Sequence, residues 1–116
     1  MQIGSMSYQN LIAGGTMPKV TDGMTLKAGQ VYPEGSVLAL DAEDKGVLVD
    51  SAGAGSVQNP YAILMDEVDA TDTDQRAAVY LTGEFNQDAL TFGGTDTAST
   101  HKVAMRNIGL FLKTNA

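Results

Sequence analysis

Thr25-Leu26-Lys27-Ala28-Gly29-Gln30-Val31 is followed, after Tyr32-Pro33-Glu34, by Gly35-Ser36-Val37-Leu38-Ala39-Leu40. Both stretches are short, carry Leu and Val, and are punctuated by glycine. Gly29 and Pro33-Glu34-Gly35 are turn chemistry, because glycine reaches positive φ at no steric cost and proline pre-sets its own φ. Apolar runs of this length between such turns predict short β-strands rather than helices.

The same punctuation continues downstream. Asp41–Gly46 is a polar turn with four charges, and Val47-Leu48-Val49 is a short β-branched run. Ala52-Gly53-Ala54-Gly55-Ser56 reads as a flexible loop. Tyr61–Met65, after Asn59-Pro60, reads as a buried strand, and Asp66–Gln75 as an acidic loop. Ala77–Thr82 is a further strand, ended by Gly83. Phe85 and Leu90-Thr91-Phe92 suggest one more extended stretch before Gly93-Gly94. Beyond it the period changes. Asp96 or Ser99 can cap a helix running to about Asn107, with His101, Ala104, Met105 and Ile108 on one face. Asn107 and Gly109 suit its end, and Leu110-Phe111-Leu112 looks like a closing strand. The expected fold is mainly β (small α+β). It is a compact β-sandwich or barrel-like domain of short strands, with one C-terminal helix and a flexible N-terminal arm. The expected core is Leu26, Val31, Val37, Leu38, Leu40, Ile63, Leu64, Val79, Leu81, Phe85, Ile108 and Phe111.

The arm is read from Met1–Thr16, which holds no charged side chain yet carries Ile3, Met6, Tyr8, Leu11 and Ile12. A purely solvated tail gains nothing from five large apolar residues. Gly14-Gly15 gives a flexible joint, and Pro18 favours extended backbone at Met17. The division expected is residues 1–18 as arm and residues 19–116 as a single β-rich domain.

Composition narrows the function classes. The chain has 116 residues, 43% hydrophobic and 18% charged, enough for one globular domain with a modest core. The longest apolar runs, Val37–Leu40 and Ala62–Met65, are far too short for a membrane-spanning helix. The first cation is Lys19, so no secretory signal is expected. A net charge of −7 makes nucleic acid and anionic membrane poor partners. Cysteine is absent, which removes disulfides, thiol catalysis and thiolate metal sites. Tryptophan is absent and aromatics are few, which disfavours stacking platforms for bases or sugars.

No motif assembles a catalytic set. Asp66, Glu67, Asp69, Asp72 and Asp74 are oxygen donors of the kind calcium takes, but their spacing departs from a calcium-binding helix–loop–helix: no glycine follows Asp74 and the closing Glu is missing. A solvated loop is the expectation, with no metal and no cofactor. His101 is the sole histidine and lies in no nucleophile-elbow pattern. Gly93-Gly94-Thr95 lacks the Lys-Ser/Thr ending of a phosphate loop. Lipoyl and biotinyl carrier domains use similar glycine hairpins around a modified lysine in a Met-Lys-Met context. Lys27 and Lys45 have no such flanks.

Taken in order, Leu26–Val31, Gly35–Ala39, Tyr61–Leu64 with its acidic loop, and Val79-Tyr80-Leu81-Thr82-Gly83-Glu84-Phe85-Asn86 resemble the bacteriophage head decoration protein family. Asn107-Ile108-Gly109-Leu110 suits members with a helix before the last strand. The resemblance covers roughly residues 23–112 and implies a non-enzymatic virion protein made in the host cytoplasm. It implies a homotrimer on the outer surface of the expanded head, at local threefold positions. There it binds the major capsid protein and cements the shell against the pressure of packaged DNA. Its N-terminal segment orders against the shell, which casts Ile3, Met6, Tyr8, Leu11 and Ile12 as the capsid-binding set. Two other classes stay open: a phage-surface adhesion or carbohydrate-binding module, and a small hydrolase using the acidic loop with a metal.

Overall fold

The computed structural model describes residues 20–113. The expected arm, including Ile3, Met6, Tyr8, Leu11 and Ile12, therefore lies outside the described residues. Among the described residues there are eight strands: β1 (Val20–Leu26), β2 (Val31–Tyr32), β3 (Val37–Leu40), β4 (Gly46–Leu48), β5 (Ala62–Leu64), β6 (Val68–Asp69), β7 (Gln75–Asn86) and β8 (Leu110–Lys113). One α-helix among them, α1 (Ala98–Asn107), precedes β8, and 3₁₀ turns occupy Gly55–Gln58 and Gln87–Ala89.

The strands run β1-β4-β3-β5-β7 across the main sheet, and β1 also pairs with β7. That pairing is antiparallel from Val20↔Thr82 to Leu26↔Gln75, and it closes the sheet into a five-stranded barrel. Closure removes the free edge that an open sheet presents to other chains. The second half of β7 carries a different partner. β8 pairs with it in parallel from Gly83↔Leu110 to Asn86↔Lys113. A parallel neighbour needs a crossover connection, and α1 supplies it. β2 and β6 form a separate two-stranded ribbon.

Two cores result. Met24, Leu26, Leu38, Ala62, Leu64 and Val79, drawn from four of the closed strands, pack together inside the barrel, with Tyr32 and Ala70 at one end. Val37, Ala39, Val49 and Ile63 face the other way and pack against Met105 of α1 and Leu110 and Leu112 of β8. This explains why Val37–Leu40 is an unbroken apolar run. A strand with solvent on one side alternates polar and apolar residues, whereas β3 is covered on both sides. The Tyr32 hydroxyl is buried but satisfied, donating to the Lys27 carbonyl at 2.8 Å and the Gly46 carbonyl at 3.4 Å.

Gly35 is fixed by geometry. Its φ is +84°, and a Cβ placed there would sit 2.5 Å from the Ala89 carbonyl oxygen. The close approach lets Thr91 N–H donate to Gly35 O at 3.0 Å and Val37 N–H to Thr91 O at 2.8 Å, so the segment after β7 is stitched to the entry of β3.

The mainly β architecture with one C-terminal helix is as expected, and the barrel is the form it takes. Several details differ. Val31 is 43% exposed, because β2 turns Tyr32 inward over the barrel end and leaves Val31 on the outer side of the ribbon. Ile108 is 42% exposed, because the helix stops at Asn107 and Gly109, at φ +91°, turns the chain into β8 before a further helical position forms. Ala104 is exposed too, since α1 buries only His101 and Met105. In β8 it is Leu110 and Leu112 that are buried, while Phe111 is half-buried on the opposite side, the strand alternating about that phase. Leu40, Leu81 and Phe85 are half-buried. The acidic stretch contains β6. β7 runs on through Gly83, whose N–H donates to Gly109 O at 3.0 Å. The stretch Leu90–Phe92 is not a strand but contributes an isolated bridge, Ser36↔Thr91. Thr97, not Asp96 or Ser99, caps the helix, and its N–H donates to the Thr100 hydroxyl oxygen at 3.1 Å.

Leu38→Ala removes a fully buried side chain from the barrel interior. It is expected to cost about 3 kcal/mol in urea unfolding, against about 0.5 kcal/mol or less for Val31→Ala. Equal costs would mean that the two positions are equally buried.

Candidate functional site

The described residues begin at the first strand of the barrel. β1 begins at Val20, opposite Thr82 of β7, and the Val20 N–H donates to the Thr82 hydroxyl at 3.2 Å. The first four residues of β1 are exposed, and its pairing with β4 is confined to Leu26↔Gly46. A groove of about 300 Å³ includes Tyr80, which pairs with Thr21, the second residue of β1. Its walls include Ile63, Met65, Tyr80, Phe85 and Leu90, with Glu34 and Asn86 as polar lining. Tyr80 and Phe85 pack as a tilted pair with centroids 5.3 Å apart. The site is therefore an opening of mixed polar and apolar lining between β5 and the second half of β7.

The polar groups elsewhere are braces. Asp96 accepts from the Ser51 hydroxyl at 2.6 Å and the Ser51 N–H at 2.7 Å. Its other contact is His101 Nε2 at 2.6 Å, with both side chains 4% exposed. The imidazole stacks on Phe92 at 5.7 Å. The Ser51 hydroxyl and, after it, the His101 ring hold the Asp96 carboxyl below the usual carboxylate range, against the opposing effect of burial. A hydrolytic triad needs the serine on the histidine, with the carboxylate behind. Here the carboxylate sits between them, so Ser51 has no base upon it and the trio ties the loop after β4 to the start of α1. Sequence placed Asp96 and His101 close together at the helix but gave no sign of Ser51, which lies 45 residues before Asp96.

The acidic stretch does not converge. Asp74 pairs with Lys45 at 2.7 Å and accepts from the Ala28 N–H at 2.7 Å. The Lys45 ammonium, then that N–H, hold Asp74 low, and Asp74 in return raises Lys45. Asp69 accepts from the Thr71 hydroxyl at 2.6 Å, which lowers it. Asp66, Glu67 and Asp72 are exposed and have no ion pair among the described residues. Burial pushes Asp41 up, yet the backbone N–H groups of Lys45 and Glu43, with the charges of Lys27 and Lys45, together bring it down. No group of three metal-ligating side chains is found among the described residues, and no helix there is long and apolar enough to cross a membrane.

The described residues form a closed β-barrel whose polar clusters serve as braces, with a surface groove between β5 and the second half of β7. The family of the chain is direct to establish. The model for bacteriophage lambda head decoration protein D matches residues 1–109. The chain belongs to that family of phage head decoration proteins, and the association with the phage capsid follows from it. No curated protein matches the sequence significantly. The match begins at Met1 and so includes the residues before 23, which the resemblance read from roughly residue 23 onward did not cover.

The Asp96 brace has a pH signature. Its folded pKa is below the value of about 3.9 expected in the unfolded chain, so its contribution is fully present above that value and is lost as pH falls through the folded pKa. The urea midpoint of the protein is expected to fall steeply below about pH 4, and less steeply for Asp96→Asn. Identical slopes for the two would show that Asp96 carries none of the acid sensitivity.

Proposed function

We propose that the protein is a cement for the phage head. It binds as a trimer on the outside of the expanded shell at local threefold positions, and it stabilises the shell against the pressure of packaged DNA. The arm, residues 1–18 with Ile3, Met6, Tyr8, Leu11 and Ile12, docks on the major capsid protein, and residues 19–116 form the displayed domain. The observation that carries this reading is the family match reaching back to Met1, since it makes the uncharged arm part of what the family shares.

The physics fits such a role. An uncharged extended segment can add a strand to an exposed sheet edge, where main-chain hydrogen bonds give affinity and alternate side chains fill pockets. Ordering roughly sixteen residues costs on the order of 1 kcal/mol or more each in backbone entropy, so a single arm binds weakly. Three arms on one trimer raise avidity by orders of magnitude through effective concentration alone. Expansion of the shell exposes the acceptor edge, so the timing of addition needs no enzyme.

Deletion of residues 1–16 is expected to abolish cosedimentation with expanded shells and to leave the melting temperature nearly unchanged, because the barrel strands begin only at Val20. Full decoration of expanded shells by the truncated protein would falsify arm docking. Binding of the intact protein to glycans but not to cognate shells would favour an adhesion module instead.

A further inference from the structure

The charges of this acidic protein are not mixed. From Thr97 to the C-terminus there is no carboxylate side chain, while Lys102, Arg106 and Lys113 all lie there. Lys113 is paired with Glu84 at 2.8 Å. Lys102 and Arg106 are exposed and have no ion pair among the described residues. They stand four apart on one flank of α1, next to the stripe of buried His101 and Met105. Val103, 74% exposed, lies beside them and faces away from that stripe. This is an exposed apolar residue flanked by two cations.

The β2–β6 ribbon is its counterpart. Val31, 43% exposed, stands opposite Asp69 in the register of the ribbon. Glu67 is two residues before Asp69 and so shares its face, and Asp72 follows, also exposed. This is an apolar centre with an anionic rim. The two surfaces cannot meet within one chain. The ribbon leads into β7 at Gln75, whereas β8, onto which α1 packs, joins β7 only from Gly83. Eight residues of strand are about 26 Å, several times the screening length of about 8 Å at physiological salt.

We infer that these surfaces are the two halves of a contact between copies of this chain, in which Lys102, Val103 and Arg106 of one copy dock on Val31, Glu67 and Asp69 of the next. The contact is heterologous, with different surfaces on the two sides, so it generates a closed ring when the rotation permits. A ring of three is the assembly proposed above, and this assignment of faces rests on the self-association part of that reading. Both surfaces carry an exposed β-branched residue that contributes nothing to either core. Opposite charge on the two rims steers encounter and repels like rim from like rim, so the register is head to tail.

Sedimentation velocity on the full-length protein, at low and high salt, tests this. The wild type is expected to be oligomeric at low salt and to dissociate as salt rises. Lys102→Glu with Arg106→Glu, and separately Glu67→Lys with Asp69→Lys, each place like charge on both surfaces. Each pair is expected to raise the dissociation constant on the order of tenfold or more. The chain carrying all four changes restores opposite charge and is expected to reassociate, which a merely misfolded variant does not do. Circular dichroism checks that every variant keeps its fold. Oligomers unchanged by either reversal, or not regained in the fourfold variant, overturn the assignment. Shell cosedimentation separates this from the broader reading. If Lys102→Glu with Arg106→Glu leaves the oligomer intact and abolishes shell binding, the cationic face meets the capsid, and the contact between copies is wrong while decoration stands. A wild type that is monomeric throughout yet decorates shells likewise overturns the contact and leaves decoration standing.

Discussion

Val37, Leu38 and Ala39 of β3, and Ala62, Ile63 and Leu64 of β5, are buried on both faces of the sheet, and the rest of the molecule is arranged to keep them so. Closure of β1 on β7 covers the inner face, and α1 with β8 covers the outer one. Losing either layer exposes one side of the same two strands. Burial of this kind is the dominant favourable contribution to folding, and a domain of this size has little of it to spare. The barrel and the helical layer are therefore coupled through shared strands rather than being two independent units. Long β7 is what makes this possible, because its first half closes the barrel while its second half carries β8.

That arrangement assigns surface and interior separate duties. The described residues form two cores that share the strands β3 and β5. The root of the N-terminal segment, at Val20, lies next to β7, the strand that bears most of the sheet's pairing. A load applied to the arm would thus pass into the strand that is held by β1, β5 and β8 together. This is a mechanical property that the cement role proposed above would use. The polar clusters act in the same direction. Asp96 ties the loop after β4 to α1, and Asp74 ties Lys45 in the turn before β4 to the backbone after β1.

Much of this was legible in the residues. Glycine and proline punctuation marked the turns around β2 and β3, and the apolar run Val37–Leu40 marked a core strand, whose burial on both faces the structure adds. The helix and its end near Asn107 followed from period, but of the face His101, Ala104, Met105 and Ile108 only His101 and Met105 are buried. Three features did not follow. Val31 and Tyr32 are adjacent and both apolar, and nothing local says which one the ribbon turns inward. Ile108 fits the helical stripe, but Gly109 ends the helix a position too early for it to be buried. β6 hides in an acidic stretch because a two-residue strand carries no periodicity, and its pairing with β2 is a tertiary fact. The Ser51–Asp96–His101 brace was out of reach for the same reason. The residues proposed to bind the capsid were read from the oddity of five large apolar side chains in an uncharged segment, which lies outside the described residues.

The central claim is that the barrel is an externally bound head protein held on the shell by its first residues. An electron cryomicroscopy reconstruction of expanded, decorated heads tests it most directly. The account predicts three copies of the barrel above each local threefold position, with Val20 of each copy turned toward the shell and continuous density running from it onto a capsid-protein strand. Barrels seated with Val20 facing outward, and a shell contact made only by other surfaces, would contradict it.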